Sequence, residues 1–414
     1  MTSSARLWIF EERRFLVVFS GYSISIFGTN LSLFAVIVHI LNKTGRALDL
    51  GLYTVVVLLA ALFFGPPVGT VIDRCGKKLA MQAGCIASAV LIASMALTSR
   101  LWQVLAISFL VSISNLAFSS AQMALLPDLV GNRDLLKANS ALSGARAVAR
   151  VVCPAVAAFL ISAFGSRFVF LLDSATYLFC FICLFSIGGD AVTEHEAGLQ
   201  GNVYSTIWEG IRYIVRDPIL RLFALIGSVN RIFFGMLAPL MILVVTKERG
   251  LTVNEFGFIV TIGAVGGIVG SLASESVLKL ISTNTLLKGA LIVEGILNLS
   301  MVLSAKFLAI AAFYALANAV LMIFANNVHA IVQTSTPAGL RGRVFGSIGS
   351  IFAPAYLLSI LVGCPLADVF GAWKVITVSA ILFLIIFGAM AMSFGKHLRA
   401  AAHVLTCPEG AVCT

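Results

Sequence analysis

Twelve separate apolar runs, each about twenty residues or longer, constrain this chain more than any other feature. A helix rising 1.5 Å per residue needs about 20 apolar residues to cross a ~30 Å hydrocarbon core. The runs fall at roughly 15–41, 47–69, 79–99, 101–126, 139–164 and 168–187, then at 219–246, 252–278, 284–304, 307–332, 344–366 and 372–394. In lipid, every backbone N–H and C=O must find a partner without water, so runs of this length are helices. Of the 414 residues, 60% are hydrophobic and 11% charged. A soluble domain carries about 25% charged residues, so a water-soluble globule is excluded. The expected fold class is an all-α membrane protein of twelve transmembrane helices. It divides into a six-helix bundle at 1–187, a connection at 188–217, a second six-helix bundle at 218–395 and a tail at 396–414.

Lys and Arg exceed Asp and Glu by ten. In a membrane protein that excess reports topology, since basic residues collect on the cytoplasmic side, and no nucleic-acid partner is expected. With both termini in the cytoplasm, inside segments hold seventeen Lys and Arg and outside turns eight. The charged Glu11–Arg14 stretch leads into an apolar run reaching Leu41. That run is too long for a signal-peptide core and closes on no small-residue cleavage site, so it reads as the first span. Eight cysteines lie at no metal-ligand spacing and read as free thiols, with no metal or cofactor implied. In the 188–217 connection, Tyr204, Ile207, Trp208, Ile211 and Ile214 recur at helical spacing opposite Glu209, Arg212 and Arg216. This predicts an amphipathic, interfacial helix.

The two halves echo one another. Span four ends in Gln122–Pro127 and span ten in Gln333–Pro337, and each is followed by a basic stretch and a span containing proline, Pro154 or Pro354. The paired prolines are 27 residues apart in the first half and 17 in the second, so the match needs about ten extra residues near 131–139. Two pseudo-symmetric six-span halves point to a secondary transporter with its site near the midplane between them. No zinc-protease, serine-hydrolase or phosphate-loop signature is present, so the chain reads as a transporter and not an enzyme. Its energy would then come from an ion gradient or from the gradient of the substrate itself.

Ionisable groups within spans are costly and mark function by default. Arg150 in span five and Asp173 in span six lie at similar depth, which predicts an ion pair, either neutralising or proton-linked. Arg231 sits mid-span beside Asn230, where it faces either an anionic substrate or a partner helix. Glu294 sits mid-span in the ninth run with no partner evident from sequence. His329 is either a proton acceptor or a hydrogen-bonded structural histidine.

Between spans two and three, Gly69-Thr-Val-Ile-Asp73-Arg74-Cys-Gly76-Lys77-Lys78 resembles the major facilitator superfamily signature G-x-x-x-D-R-x-G-R/K-R/K. That resemblance covers nearly the whole chain. It implies a major facilitator fold, monomeric and working by alternating access. It also implies that Asp73 closes the cytoplasmic side by meeting the start of span eleven, here Arg343–Gly346. Gly69 would then allow close helix approach, Gly76 the turn, and Arg74, Lys77 and Lys78 the inside charge. Spans one, four, seven and ten line the cavity in that family. The implied cavity residues are Asn30, Phe34, Asn115, Phe118, Gln122, Asn230, Arg231, Asn326 and Asn327. Apolar walls with a few amides suit a moderately hydrophobic organic substrate.

Leu125–Val130, Ala138–Leu142, Phe170–Ser174 and Arg341–Phe345 resemble the bacterial macrolide- and siderophore-exporting branch. This implies proton-coupled efflux of small amphipathic molecules across the bacterial cytoplasmic (inner) membrane, with protons and the lipid bilayer as partners. A lysophospholipid transporter of the same fold is the alternative, and a non-transporting sensor a third reading. Two departures stand out. The antiporter pattern G-x(8)-G-P-x-x-G-G reads here from Gly144 to Cys153-Pro154-Ala-Val-Ala157-Ala158, and Thr29-Asn30 replaces the Gly-Asp of that branch. Asn30 cannot carry a proton.

Overall fold

The computed structural model describes residues 13–98, 100–187 and 203–393, which are helical with short turns and no strand. Among the described residues, twelve stretches are long and apolar enough to cross a membrane. The chain divides into two compact units, Met1–Gly198 and Leu199–Thr414.

The first unit contains α1 (Arg13–Thr44), α2 (Ala47–Cys75), α3 (Lys77–Met95), α4 (Leu101–Phe164) and α5 (Ser166–Ser186). The 64-residue α4 holds two spans, Leu101–Gly131 and Asp134–Phe164. The polar stretch expected as a loop near 131–139 is helical on both sides of one break, at Gly131, where φ is 67° and ψ 165°. Gly76 makes the turn between α2 and α3 at φ 85°, a conformation that disfavours any side chain. In this unit α1 lies against α4 and α5, and α3 against the same two helices.

The second unit contains α6 (Val203–Arg216), α7 (Pro218–Phe234), α8 (Leu237–Leu243), α9 (Val253–Leu280), α10 (Thr283–Leu303), α11 (Phe307–Ser335), α12 (Arg341–Phe370) and α13 (Ala372–Ser393). A π-turn, Val244–Glu248, continues α8. The amphipathic helix expected in the connection is α6, and it is built into this unit. Ile214 is buried among Leu220, Leu222 and Phe223, and a Cβ on Gly210 would stand 2.4 Å from the Arg343 carbonyl oxygen of α12. Trp208, expected on the same apolar face, is 66% exposed. Close approach through Gly210 turns a narrower strip of α6 inward than the apolar pattern implies.

Span seven is not continuous. It breaks after Phe234, and two serines from other helices take up the backbone groups beside the break. The Met236 N–H donates to Ser359 Oγ of α12 at 3.0 Å, and Ser379 Oγ of α13 donates to the Phe233 carbonyl at 2.7 Å. Broken helices are tolerated at membrane depth only where neighbours satisfy the freed backbone in this way.

Candidate functional site

The first unit gathers polar side chains from α1, α4 and α5 into a partly buried stripe. Asn115, Phe118 and Gln122 lie at i, i+3 and i+7 on α4 and so share one face. Asn115 Oδ1 accepts from the Tyr177 hydroxyl at 2.5 Å, and that hydroxyl lies 2.8 Å from Thr29 Oγ1. Phe118 stacks on Tyr22 with ring centroids 5.7 Å apart and meets Tyr177 edge-on at 5.9 Å. Gln122 Oε1 accepts from Arg146 Nη2 at 3.0 Å, and Arg146 Nε donates to the Tyr22 hydroxyl at 3.0 Å. The Arg146 guanidinium also stands 5.4 Å from the centre of the Tyr22 ring. Planar donors on Arg146 thus hold two acceptors in a fixed fork, a geometry that the compact ammonium of a lysine does not fix.

Asp173 on α5 is fully buried. Its Oδ1 accepts from Thr176 Oγ1 at 3.2 Å, while among the described residues no donor meets Oδ2. The carboxylate lines a cavity of about 50 Å³ together with Thr29, Ser32, Tyr53, Ser108 and Asn115. That is room for a few waters against a lining that mixes these polar groups with Leu33, Val36, Val57 and Ile92. The expected Arg150–Asp173 pair does not form, because Arg150 lies on an exposed face of α4. Equal depth is not equal azimuth, and it is Arg146, one helical turn earlier, that turns inward. The intramembrane charge of Arg146 was the signal that could have marked it. Tyr22 and Tyr177 carried no such mark among so many aromatics.

The remaining first-unit positions are more local. Asn30 donates to the Ile26 carbonyl of its own helix at 2.8 Å, and Phe34 is buried. In the signature loop, Lys77 Nζ pairs with Asp128 Oδ2 at 2.8 Å and Lys78 Nζ donates to the Ile187 carbonyl at 2.5 Å. The loop is thereby fastened to α4 and to the end of α5. The side chains of Gly69, Asp73 and Arg74 lie outside the described residues.

In the second unit, Glu294 is 3% exposed and finds a partner in Asn230, whose Nδ2 donates to Oε2 at 3.2 Å. Arg231 is exposed, and its guanidinium sits 6.0 Å from the Tyr356 ring centre. Asn326 Nδ2 donates to Ser271 Oγ and Ser274 Oγ of α9, each at 3.0 Å, and buried Asn327 donates to the Ile323 carbonyl of its own helix. His329 is exposed, edge-on to Phe345. Arg343 pairs with Glu209 of α6, and its expected meeting with Asp73 lies outside the described residues. Asn230, Arg231 and Glu294 are thus brought together, while Asn326, Asn327 and His329 are spent singly.

Twelve apolar helices in two units, each with buried polar and ionisable side chains, define a polytopic membrane transporter. The chain matches the Major Facilitator Superfamily over residues 18–353, and it belongs to that family. It is 25% identical over 391 residues to the uncharacterized MFS-type transporter YfiS of Bacillus subtilis, covering 91% of this chain and 92% of that protein. It is 22% identical over 375 residues to macrolide efflux protein A of Streptococcus pyogenes, covering 86% of this chain and 90% of that protein. Among solved structures it resembles a bacterial homologue of the human lysosomal transporter Spinster in an inward-facing, unoccupied conformation. The TM-score is 0.75 at 12% identity, over 97% of this chain and 99% of that one.

Proposed function

We propose that this protein exports moderately hydrophobic organic molecules by alternating access, and that proton movement drives it. The observation that carries the reading is the stripe joining Tyr22, Arg146 and Gln122 to Tyr177 and Asn115 beside a buried Asp173. Aromatic faces with a few placed donors recognise an amphipathic molecule without demanding one shape. Likeness to a macrolide efflux protein supports an outward direction and a macrolide-type substrate.

Asp173 is the proposed proton carrier of the first unit. A buried carboxylate oxygen that no donor meets among the described residues, facing a cavity with room for water, has a free site for a proton. Glu294 is the proposed proton carrier of the second unit, where Asn230 holds one oxygen. In this reading the chain acts as a monomer in the bacterial cytoplasmic membrane with both termini inside.

The test uses purified full-length protein in liposomes with an imposed pH gradient, scored by accumulation of a radiolabelled macrolide or a fluorescent dye. Gradient-dependent accumulation that Asp173→Asn abolishes is expected. Uptake that ignores the gradient in the unaltered protein would overturn the proton-driven reading.

A further inference from the structure

The second unit carries an open groove of about 550 Å³ between the ends of α7, α12 and α13, far larger than any polar cavity described above. Its volume falls within the range that holds a whole organic ligand, roughly 300–1,000 Å³. The walls are hydrocarbon, and the polar atoms in the floor are already used. Ser359 Oγ accepts from the Met236 N–H and Ser379 Oγ donates to the Phe233 carbonyl. Both hydroxyls are engaged by the α7 backbone and the rest of the lining is apolar up to Lys374, so the groove favours an occupant that is apolar along most of its length.

One end differs. Lys374 lines the groove there, is exposed, and among the described residues pairs with no carboxylate. Its ammonium stands 5.9 Å from the Trp373 ring centre. Glu248, which reaches the same turn, is spent on the start of α13, accepting from the Ala372 and Trp373 N–H groups at 2.7 and 2.8 Å. Asp368, nearby on α12, does not line the groove. A tryptophan beside a lysine at the end of a span is the usual anchor at the headgroup level.

The dimensions agree. From Leu358 to Phe370 the groove follows α12 for twelve residues, about 18 Å at the helical rise, which is close to half of a ~30 Å hydrocarbon core. We infer that this groove is a binding site for one anionic phospholipid, with an acyl chain between α12 and α13 and its phosphate on Lys374, in the leaflet at the Lys374 end. The proposal does not depend on the transported substrate.

The experiment is native mass spectrometry of delipidated full-length protein titrated with palmitoyl-lysophosphatidylglycerol or palmitoyl-lysophosphatidylcholine. One retained lipid is expected, with the anionic lipid favoured about fivefold, the effect of one basic side chain near a membrane surface. Lys374→Gln should erase the preference while keeping weak binding of both lipids. Val362→Trp, at an exposed wall position, should remove both. Equal binding of the two lipids by the unaltered protein, or anionic binding undiminished in Val362→Trp, would overturn the site. So would a dimer that Val362→Trp disrupts with no lipid retained, which would assign the groove to a second copy.

Discussion

Gly28 of α1 faces Asp173 of α5 so closely that a Cβ on Gly28 would stand 2.4 Å from Asp173 Oδ1 and 2.2 Å from Thr176 Oγ1. The absence of a side chain at Gly28 therefore sets where the buried carboxyl sits. Gly28→Ala should stabilise the helix by up to ~1 kcal/mol through propensity. Overpacking against fully buried Asp173 and half-buried Thr176 costs about 1–3 kcal/mol and should win. The variant should unfold at lower temperature and transport poorly. Gly289→Ala in α10, where an added Cβ meets nothing within 4 Å, is the matched control and should be neutral or stabilising. Thermal unfolding of both in the same detergent checks the pair, and equal midpoints would show that α1 and α5 can part without cost.

Asp173→Asn keeps size and shape and still accepts from Thr176, so the fold should survive. It can no longer exchange a proton. Transport driven by a pH gradient should fall by tenfold or more, equivalent to ~1.4 kcal/mol or more, while exchange of substrate for substrate without a gradient persists. Counterflow and gradient-driven uptake, measured side by side in liposomes, distinguish this from a folding defect, which would depress both.

The spans were legible because a run of twenty apolar residues carries its meaning without any partner. The turn at Gly76 was legible for the same local reason. The break in span seven was not. The apolar run passes straight through Phe234 and Met236, and the serines that make the break tolerable lie more than a hundred residues away. Glu294 and Asn230 are likewise 64 positions apart, with nothing in either segment pointing to the other. The sequence points to Arg150 as the partner of Asp173 because depth can be counted along a sequence and azimuth cannot. The family signature named Asp73 and Arg343, yet the Arg343–Glu209 pair could not be foreseen, since it depends on how α6 docks onto α12.

Arg146 should be the most informative cavity residue to change. Arg146→Lys keeps the charge but loses the fork that holds the Tyr22 hydroxyl and Gln122 Oε1 together. Losing one hydrogen bond to a charged group costs about 1.5–3 kcal/mol, or roughly ten- to a hundredfold in affinity if the pair positions substrate. Equilibrium binding of a fluorescent macrolide should weaken by that factor while the amount of folded protein stays level. Unchanged affinity would make Arg146 a structural brace.

The serines at the break in span seven should differ in cost. Ser359→Ala leaves the buried Met236 N–H without its acceptor, and Ser379→Ala deprives the Phe233 carbonyl of a donor. Buried N–H groups are left orphaned less often than carbonyls, which have a second lone pair. Ser359→Ala should therefore destabilise by about 1–3 kcal/mol and Ser379→Ala by less. Midpoints of thermal unfolding give the order, and the reverse order would mean that the break is held by packing alone.

The signature loop separates fastening from function. Lys77 and Asp128 form a partly exposed pair at 2.8 Å, and such pairs contribute up to about 1 kcal/mol. Lys77→Ala should cost little folded protein, because Lys78 still holds the Ile187 carbonyl. Asp73 places a carboxylate in a basic turn, which positive-inside topology alone does not call for. Asp73→Asn should leave the yield of folded protein unchanged and reduce transport on the order of tenfold, the equivalent of one lost contact worth ~1.4 kcal/mol in the cycle. Vesicle uptake normalised to folded protein by fluorescence-detected gel filtration gives the ratio. Full uptake in Asp73→Asn would reduce this stretch to a solvated turn between two spans.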